Sequence, residues 1–180
     1  FELLKQRRFL PFFLTQSLGA FNDNVFRNAM LALMVYQMGL STEQSTLYAN
    51  LAPALFILPY FLFSATAGQI AEKYEKARLI RVTTAMEIAI MSLASFGFIY
   101  GIPWLLLFCL FLTGVQSTLF GPVKYAILPQ VLAPEELTGG NGLVEMGTSI
   151  SILIGMIAGM SLLMIPEYGP QAAAAAMIAL

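Results

Sequence analysis

Six long apolar segments dominate this sequence of 180 residues. A helix needs about 20 mostly apolar residues to cross the hydrocarbon core of a membrane. Five segments cover residues 9–37, 47–71, 79–100, 104–125 and 141–165, and a sixth begins near Pro170 after a short turn at residues 166–169. Only 11% of the residues are charged, against about 25% in soluble domains. The sequence therefore predicts an all-α membrane protein, a bundle of six transmembrane helices over residues 1–180.

The basic residues predict the orientation of this bundle. Eight of the nine fall on one side of the predicted membrane, namely Lys5, Arg7, Arg8, Lys73, Lys76, Arg78, Arg81 and Lys124. The ninth, Arg27, lies inside the first segment. Because basic residues concentrate in cytoplasmic loops, we expect a cytoplasmic N-terminus.

A polar stretch interrupts the first segment, with Asn22, Asp23, Asn24, Arg27 and Asn28 near its middle. Charges inside a bilayer are costly and usually functional. Asp23 and Arg27 are four residues apart, so they share a helix face, which Gln16 and Ala20 extend. We expect an ion pair here, either as a purely structural contact or as part of a polar cavity lining. The neighbouring asparagines favour the cavity.

Further polar residues lie in the later segments. Glu87 is either buried in the third helix or faces the headgroup zone beside Arg81. Lys124, after the polar stretch 116–118 of the fourth, either extends to the membrane surface or contacts a substrate phosphate.

The fifth segment has two distinct faces. We expect Asn141, Glu145 and Thr148 to line a cavity. On the other face, small residues recur every four positions, at Gly147, Ser151, Gly155 and Gly159, a pattern typical of close helix packing.

Several classes of function are not supported by the sequence. It has no histidine and a single cysteine, Cys109, in an apolar run where packing is its expected role. No phosphate-binding glycine loop or nucleophile elbow occurs. A net charge of −1 gives no reason to expect a nucleic-acid partner. We therefore predict no enzyme activity in this chain, no catalytic residue, no metal site and no cofactor.

The junction between the second and third segments reads GQIAEKYEKAR over residues 68–78. It resembles the signature loop of the major facilitator superfamily, although Glu72 and Glu75 stand where that family usually has Asp and Gly. The resemblance implies that Gly68, Glu72, Lys73 and Arg78 form a cytoplasmic gating loop, in which the glycine permits close approach and the charges make and break contacts.

Three further stretches read QSLGAFNDN over residues 16–24, GPVKYAIL over 121–128 and ELTGGNGLVE over 136–145. Together they look like the bacterial lysophospholipid transporter family, especially its members fused to an acyltransferase. The resemblance implies that the chain is the N-terminal half of a twelve-helix secondary transporter in the bacterial inner membrane. Such a transporter moves lysophosphatidylethanolamine from the outer to the cytoplasmic leaflet by alternating access. The resemblance implicates Asp23 and Lys124 in substrate handling.

The predicted substrate-binding set is Asp23, Asn24, Arg27, Lys124, Asn141 and Glu145. The predicted partners are membrane lipid, the C-terminal half of the transporter and, where one is fused, an acyltransferase domain. Two alternative functions stay open on the same fold. One is a proton-coupled exporter of soluble drug-like or peptide substrates, and the other is a membrane anchor that transports nothing. An anchor predicts a tight structural pair between Asp23 and Arg27.

Overall fold

The computed structural model describes residues 2–165 and 168–179, and this part of the chain is helical, with no β-strand. Its six α-helices are α1 Leu10–Ala32, α2 Thr42–Lys73, α3 Lys76–Tyr100, α4 Pro103–Val131, α5 Leu137–Leu163 and α6 Gly169–Ala179. A π-helical turn, Leu33–Gln37, extends α1. Short 3-10 helices at Glu2–Lys5 and Pro134–Glu136 precede α1 and α5.

The predicted apolar segments coincide with these helices, and the main differences lie at two helix ends. Helix α2 begins at Thr42, five residues before the predicted start, because Ser41 caps it. The Ser41 hydroxyl accepts a hydrogen bond from the Gln44 backbone N–H, and the Gln44 side chain accepts one from Ser41, each at 3.2 Å. Helix α4 continues past residue 125 to Val131, since Leu128 is buried in an apolar cluster. Part of the predicted turn at 166–169 lies outside the described residues.

Four stretches are long and apolar enough to span a membrane: α2, α3, α4, and the stretch Pro134–Leu163 that contains α5. Helix α1 has 23 residues, but its polar middle lowers its mean hydropathy. The described part of α6 has only 11 residues. The structure therefore contains the six predicted helices, four of which meet the length and hydropathy expected of a membrane span.

Close helix pairs build the bundle: α1 packs along α5, α2 along α4, and α3 against both α4 and α6. The small-residue face of α5 forms the first of these interfaces. A Cβ atom added at Gly155 would lie 2.6 Å from the Phe21 carbonyl oxygen of α1, and one at Gly159 would lie 2.5 Å from the Val25 carbonyl oxygen. The predicted packing role of this face is confirmed, because only glycine lets the two backbones approach so closely.

Two apolar clusters occupy opposite ends of α1. The smaller one surrounds Phe9 and Phe12, together with Leu128 of α4 and Val144 of α5. The larger one extends over residues 25–34, at the end of α1 and the start of the π-helical turn, and includes Cys109, which is buried as a free thiol in its predicted packing role. The polar middle of α1 lies between these clusters, so the fold surrounds it with apolar packing on both sides.

Candidate functional site

A cavity of about 330 Å³ lies beside the polar middle of α1 and is bounded by α1 to α5. Its lining contains both charged and apolar side chains. The charged ones are Asp23, Arg27, Glu87 and Lys124, and the aromatic ones are Phe56, Tyr60, Phe120 and Tyr125. A site of this composition can bind a polar or charged group and an apolar group at once.

The cavity side of α1 is the face that helical spacing predicts. Gln16, Ala20, Asp23 and Arg27 all line it, and Asn24 lies beside them. Gln16 also donates a hydrogen bond to the Thr148 hydroxyl at 3.1 Å, which joins this face to α5. The position of the polar stretch therefore agrees with the cavity-lining alternative.

The expected ion pair between Asp23 and Arg27 is wrong: within the described residues, ion pairs join only Arg8 to Glu136 and Lys124 to Glu145. The Arg27 guanidinium instead donates to the Asn24 side-chain oxygen at 2.5 Å and lies 5.6 Å from the centre of the Phe56 ring. A neighbouring amide and a cation–π contact thus hold the guanidinium.

The carboxylate of Asp23 turns towards α4 instead. Its Oδ2 accepts a hydrogen bond from the Ser117 hydroxyl at 3.3 Å. Its Oδ1 is buried and has no hydrogen-bond partner among the described residues. One carboxylate oxygen beside the cavity therefore makes no hydrogen bond with the described residues.

Lys124 is buried within the bundle, and its side chain is only 9% exposed. Its Nζ lies 2.9 Å from the Glu145 carboxylate of α5, and the Tyr125 hydroxyl donates to the same Glu145 oxygen at 3.1 Å. The Glu145 side chain is 55% exposed and does not belong to the described cavity lining. Glu145 therefore fixes Lys124 at the edge of the cavity.

Only part of the predicted cavity face of α5 lines the cavity. Thr148 lines it, whereas Asn141 is exposed and lies outside the lining that the described residues form. Asn141 is near the start of α5, two turns before Thr148, and this part of the helix does not border the cavity.

Glu87 lines the cavity, although the predicted substrate-binding set did not include it. The sequence left its position open, and the structure places it half-buried in the cavity lining. Its Oε1 accepts from the Asn22 amide at 3.4 Å, and its Oε2 from the Gln116 amide at 3.5 Å. A carboxylate two turns inside an apolar segment was the sequence signal for this role.

The predicted gating loop lies where α2 ends and α3 begins. Glu72, Lys73 and Arg78 are exposed, and none of them forms an ion pair with another described residue. Around Gly68, no described atom lies within 4 Å of an added Cβ atom, apart from its chain neighbours and the backbone of its own helix. The expected close approach therefore does not occur within this part of the chain. The gating role of these residues stays a prediction.

Comparison with known proteins identifies the family. The sequence profile of the Major Facilitator Superfamily matches residues 12–180. Over 156 residues, 87% of this chain, the sequence is 31% identical to the lysophospholipid transporter LplT of Serratia proteamaculans and to that of Cronobacter sakazakii. It is 31% identical over 150 residues, 83% of the chain, to LplT of Salmonella typhimurium.

The chain spans about a third of the length of these relatives, 36%, 36% and 35% respectively. No solved structure matches the sequence significantly. The membrane-length helices and the family match together describe a multi-pass membrane protein. This chain belongs to the Major Facilitator Superfamily.

Proposed function

We propose that this chain is the N-terminal six-helix half of a secondary transporter that carries a lysophospholipid. The substrate is of the lysophosphatidylethanolamine type, and transport runs from the outer to the cytoplasmic leaflet of a bacterial inner membrane by alternating access. Similarity to lysophospholipid transporters over most of the chain supports the substrate class.

The observation that carries the proposal is the composition of the cavity. Asp23 offers an unused carboxylate oxygen, whereas Arg27 and Lys124 offer positive charge in the same space. A zwitterionic headgroup carries an ammonium and a phosphate, so it complements both kinds of group. Phe56, Phe120 and Ile152 line the cavity as well and suit the first part of an acyl chain. Asn24 and Glu145 act through Arg27 and Lys124, which they hold.

The membrane-anchor alternative is less well supported. It predicts that Asp23 and Arg27 neutralise each other as a structural pair, and the two side chains have different partners. An exporter of soluble substrates would also use a charged cavity, and similarity to lysophospholipid transporters is what favours lipid.

We also propose an orientation and a set of partners for this chain. The basic residues near the start of α1 and at the α2–α3 junction lie at one end of the bundle, which supports a cytoplasmic N-terminus. Large exposed apolar side chains, such as Phe61 and Ile157, suit contact with lipid or with a second six-helix bundle. An acyltransferase, fused or separate, is the proposed consumer of the delivered lysolipid.

The test is lysolipid translocation by the full-length protein carrying Asp23→Asn. Loss of the carboxylate removes a charge-assisted contact worth roughly 1.5–3 kcal/mol, so translocation efficiency should fall about tenfold or more. The matched control is Glu135→Gln, because Glu135 is exposed at the turn before α5. Equal translocation by Asp23→Asn and the control, at equal expression, would reject the role of Asp23.

A further inference from the structure

Two carboxylates of different helices share one hydrogen-bonded cluster beside the cavity. Asp23 of α1 accepts a hydrogen bond from the Ser117 hydroxyl at 3.3 Å. The Ser117 hydroxyl oxygen also lies 3.3 Å from the Gln116 side-chain oxygen. The Gln116 amide reaches Glu87 of α3 at 3.5 Å, and the Asn22 amide reaches it at 3.4 Å. The five side chains thus connect α1, α3 and α4 through a continuous polar chain. We call them the Asp23–Glu87 cluster.

The positive charges that line the cavity are held by groups outside this cluster. Arg27 contacts Asn24 and the Phe56 ring, and Lys124 contacts Glu145. Among the described side chains, neither Asp23 nor Glu87 forms an ion pair. Two acidic groups at membrane depth without a paired cation are unfavourable, so an additional positive charge would stabilise the cluster.

The cluster also contains two buried acceptor atoms that the described side chains and backbone leave unpartnered. They are Oδ1 of Asp23 and Oδ1 of Asn22, and Asn22 is only 3% exposed. Buried acceptors in folded proteins nearly always have a partner, and a bound ion is one explanation for an exception. The Asn22 side-chain nitrogen already donates to Glu87, so the unpartnered oxygen of the same amide group also lies at the cluster.

We propose that the Asp23–Glu87 cluster binds one sodium ion. Its ligands would be carboxylate oxygens of Asp23 and Glu87 and the Asn22 side-chain oxygen, with the Ser117 hydroxyl and Gln116 oxygen within reach.

The chemistry of the donor set matches a small hard cation, since every candidate ligand is an oxygen. The cluster has only two carboxylates, and no third acidic, histidine or cysteine side chain among the described residues completes a metal-binding group with them. Its charge therefore suits a monovalent ion better than a divalent one. The hydrogen bonds within the cluster are long, at 3.3–3.5 Å, so modest side-chain rotations can turn the oxygens towards an ion. Binding would tie α1 to α3 and α4.

The test measures sodium binding by the purified full-length protein in detergent, without lipid substrate. Thermal unfolding is followed as NaCl replaces choline chloride at constant ionic strength, and radioactive sodium binding is measured in parallel. We expect a saturable rise in Tm with sodium, which potassium does not reproduce.

Variants locate the site. Glu87→Gln and Asn22→Ala should each weaken sodium binding by more than about tenfold, the range seen even for outer-shell ligands. The matched control Glu135→Gln should bind sodium like the unmodified protein. Asn22→Ala leaves both carboxylates in place, so it keeps the test valid if Glu87→Gln fails to fold.

Three results would overturn the proposal: no sodium binding by folded unmodified protein, equal stabilisation by sodium, potassium and choline, or stabilisation by acidic pH alone. The last result would assign the cluster to a proton. The sodium site and the lysolipid proposal share Asp23, but the sodium test contains no lysolipid and its variants keep Asp23, so each proposal can fail alone. Lysolipid translocation without sodium binding would reject only the ion site, and sodium binding without lysolipid translocation would reject only the substrate.

Discussion

A single methyl group at Gly155 should measurably destabilise the contact between α1 and α5. An added Cβ atom would lie 2.6 Å from the Phe21 carbonyl oxygen and 3.0 Å from Cβ of Asn24. Carbon atoms in good contact are about 3.5–4.0 Å apart, so the 3.0 Å contact with Cβ of Asn24 alone requires the helices to separate by roughly 0.5–1 Å. The atom that blocks the methyl group is a backbone oxygen, which no rotamer change can move aside.

The size of the effect follows from two opposing contributions. Overpacking of a close interface costs about 1–3 kcal/mol. Alanine has a better helix propensity than glycine, which returns about 1 kcal/mol. Gly155→Ala should therefore lower the free energy of unfolding by up to about 2 kcal/mol relative to the unmodified protein. It should also displace Asn24, which holds Arg27 in the cavity.

The matched control is Gly142→Ala on the same helix. Apart from its chain neighbours and its own helix backbone, no described atom lies within 4 Å of an added Cβ at Gly142, so only the propensity gain applies. The assay is thermal unfolding of the full-length protein in detergent, together with substrate translocation. We expect Gly155→Ala to melt below and Gly142→Ala at or above the unmodified protein. Equal melting of the two variants would refute the packing argument.

Three further predictions concern polar contacts. Glu145→Gln leaves buried Lys124 without its counter-charge and should lower stability by about 1–2 kcal/mol, less than the roughly 3–5 kcal/mol of a fully buried pair, because Glu145 is half-exposed. Its thermal melting should be compared with that of Glu135→Gln, and unchanged melting would show that Lys124 does not depend on this carboxylate. Arg8→Gln breaks the 2.6 Å contact with Glu136, but both side chains are partly exposed, so the loss should stay below about 1 kcal/mol and shrink at high salt. A loss independent of salt would contradict this. Ser41→Ala removes the cap of α2 and should cost about 1 kcal/mol in chemical unfolding, whereas Ser41→Gly should cost a few tenths; the reverse order would reject the capping role.

The helices and one side of the cavity could be predicted from the sequence because both depend on regular spacing. Apolar segments of membrane length fixed the positions of the helices, and four-residue spacing placed Asp23 and Arg27 beside Gln16 and Ala20 on one face. The same spacing in α5 predicted a glycine face, which packs against α1 as expected.

The partners of the charged side chains could not be predicted in this way. Four-residue spacing makes Asp23 and Arg27 neighbours, but it does not say which other helix approaches them. Phe56 of α2 and Ser117 of α4 decide their contacts, and both arrive through the tertiary fold. Glu87 was left open for the same reason.

The aromatic lining of α2 was missed for a different reason. In a membrane bundle, the lipid-facing and core-facing sides of a helix are both apolar, so hydropathy does not mark which side faces inward. Phe56 and Tyr60 line the cavity, whereas Phe61 on the same helix is 82% exposed. The sequence of α2 does not distinguish these positions.

The most direct test of the proposed function is translocation of labelled lysophosphatidylethanolamine by the full-length protein in lipid vesicles. We predict transfer between leaflets that exceeds the transfer in protein-free vesicles, increases with the amount of protein and decreases about tenfold or more in Asp23→Asn. Correctly folded protein that moves no lysophospholipid, or that moves a soluble drug or peptide instead, would contradict it.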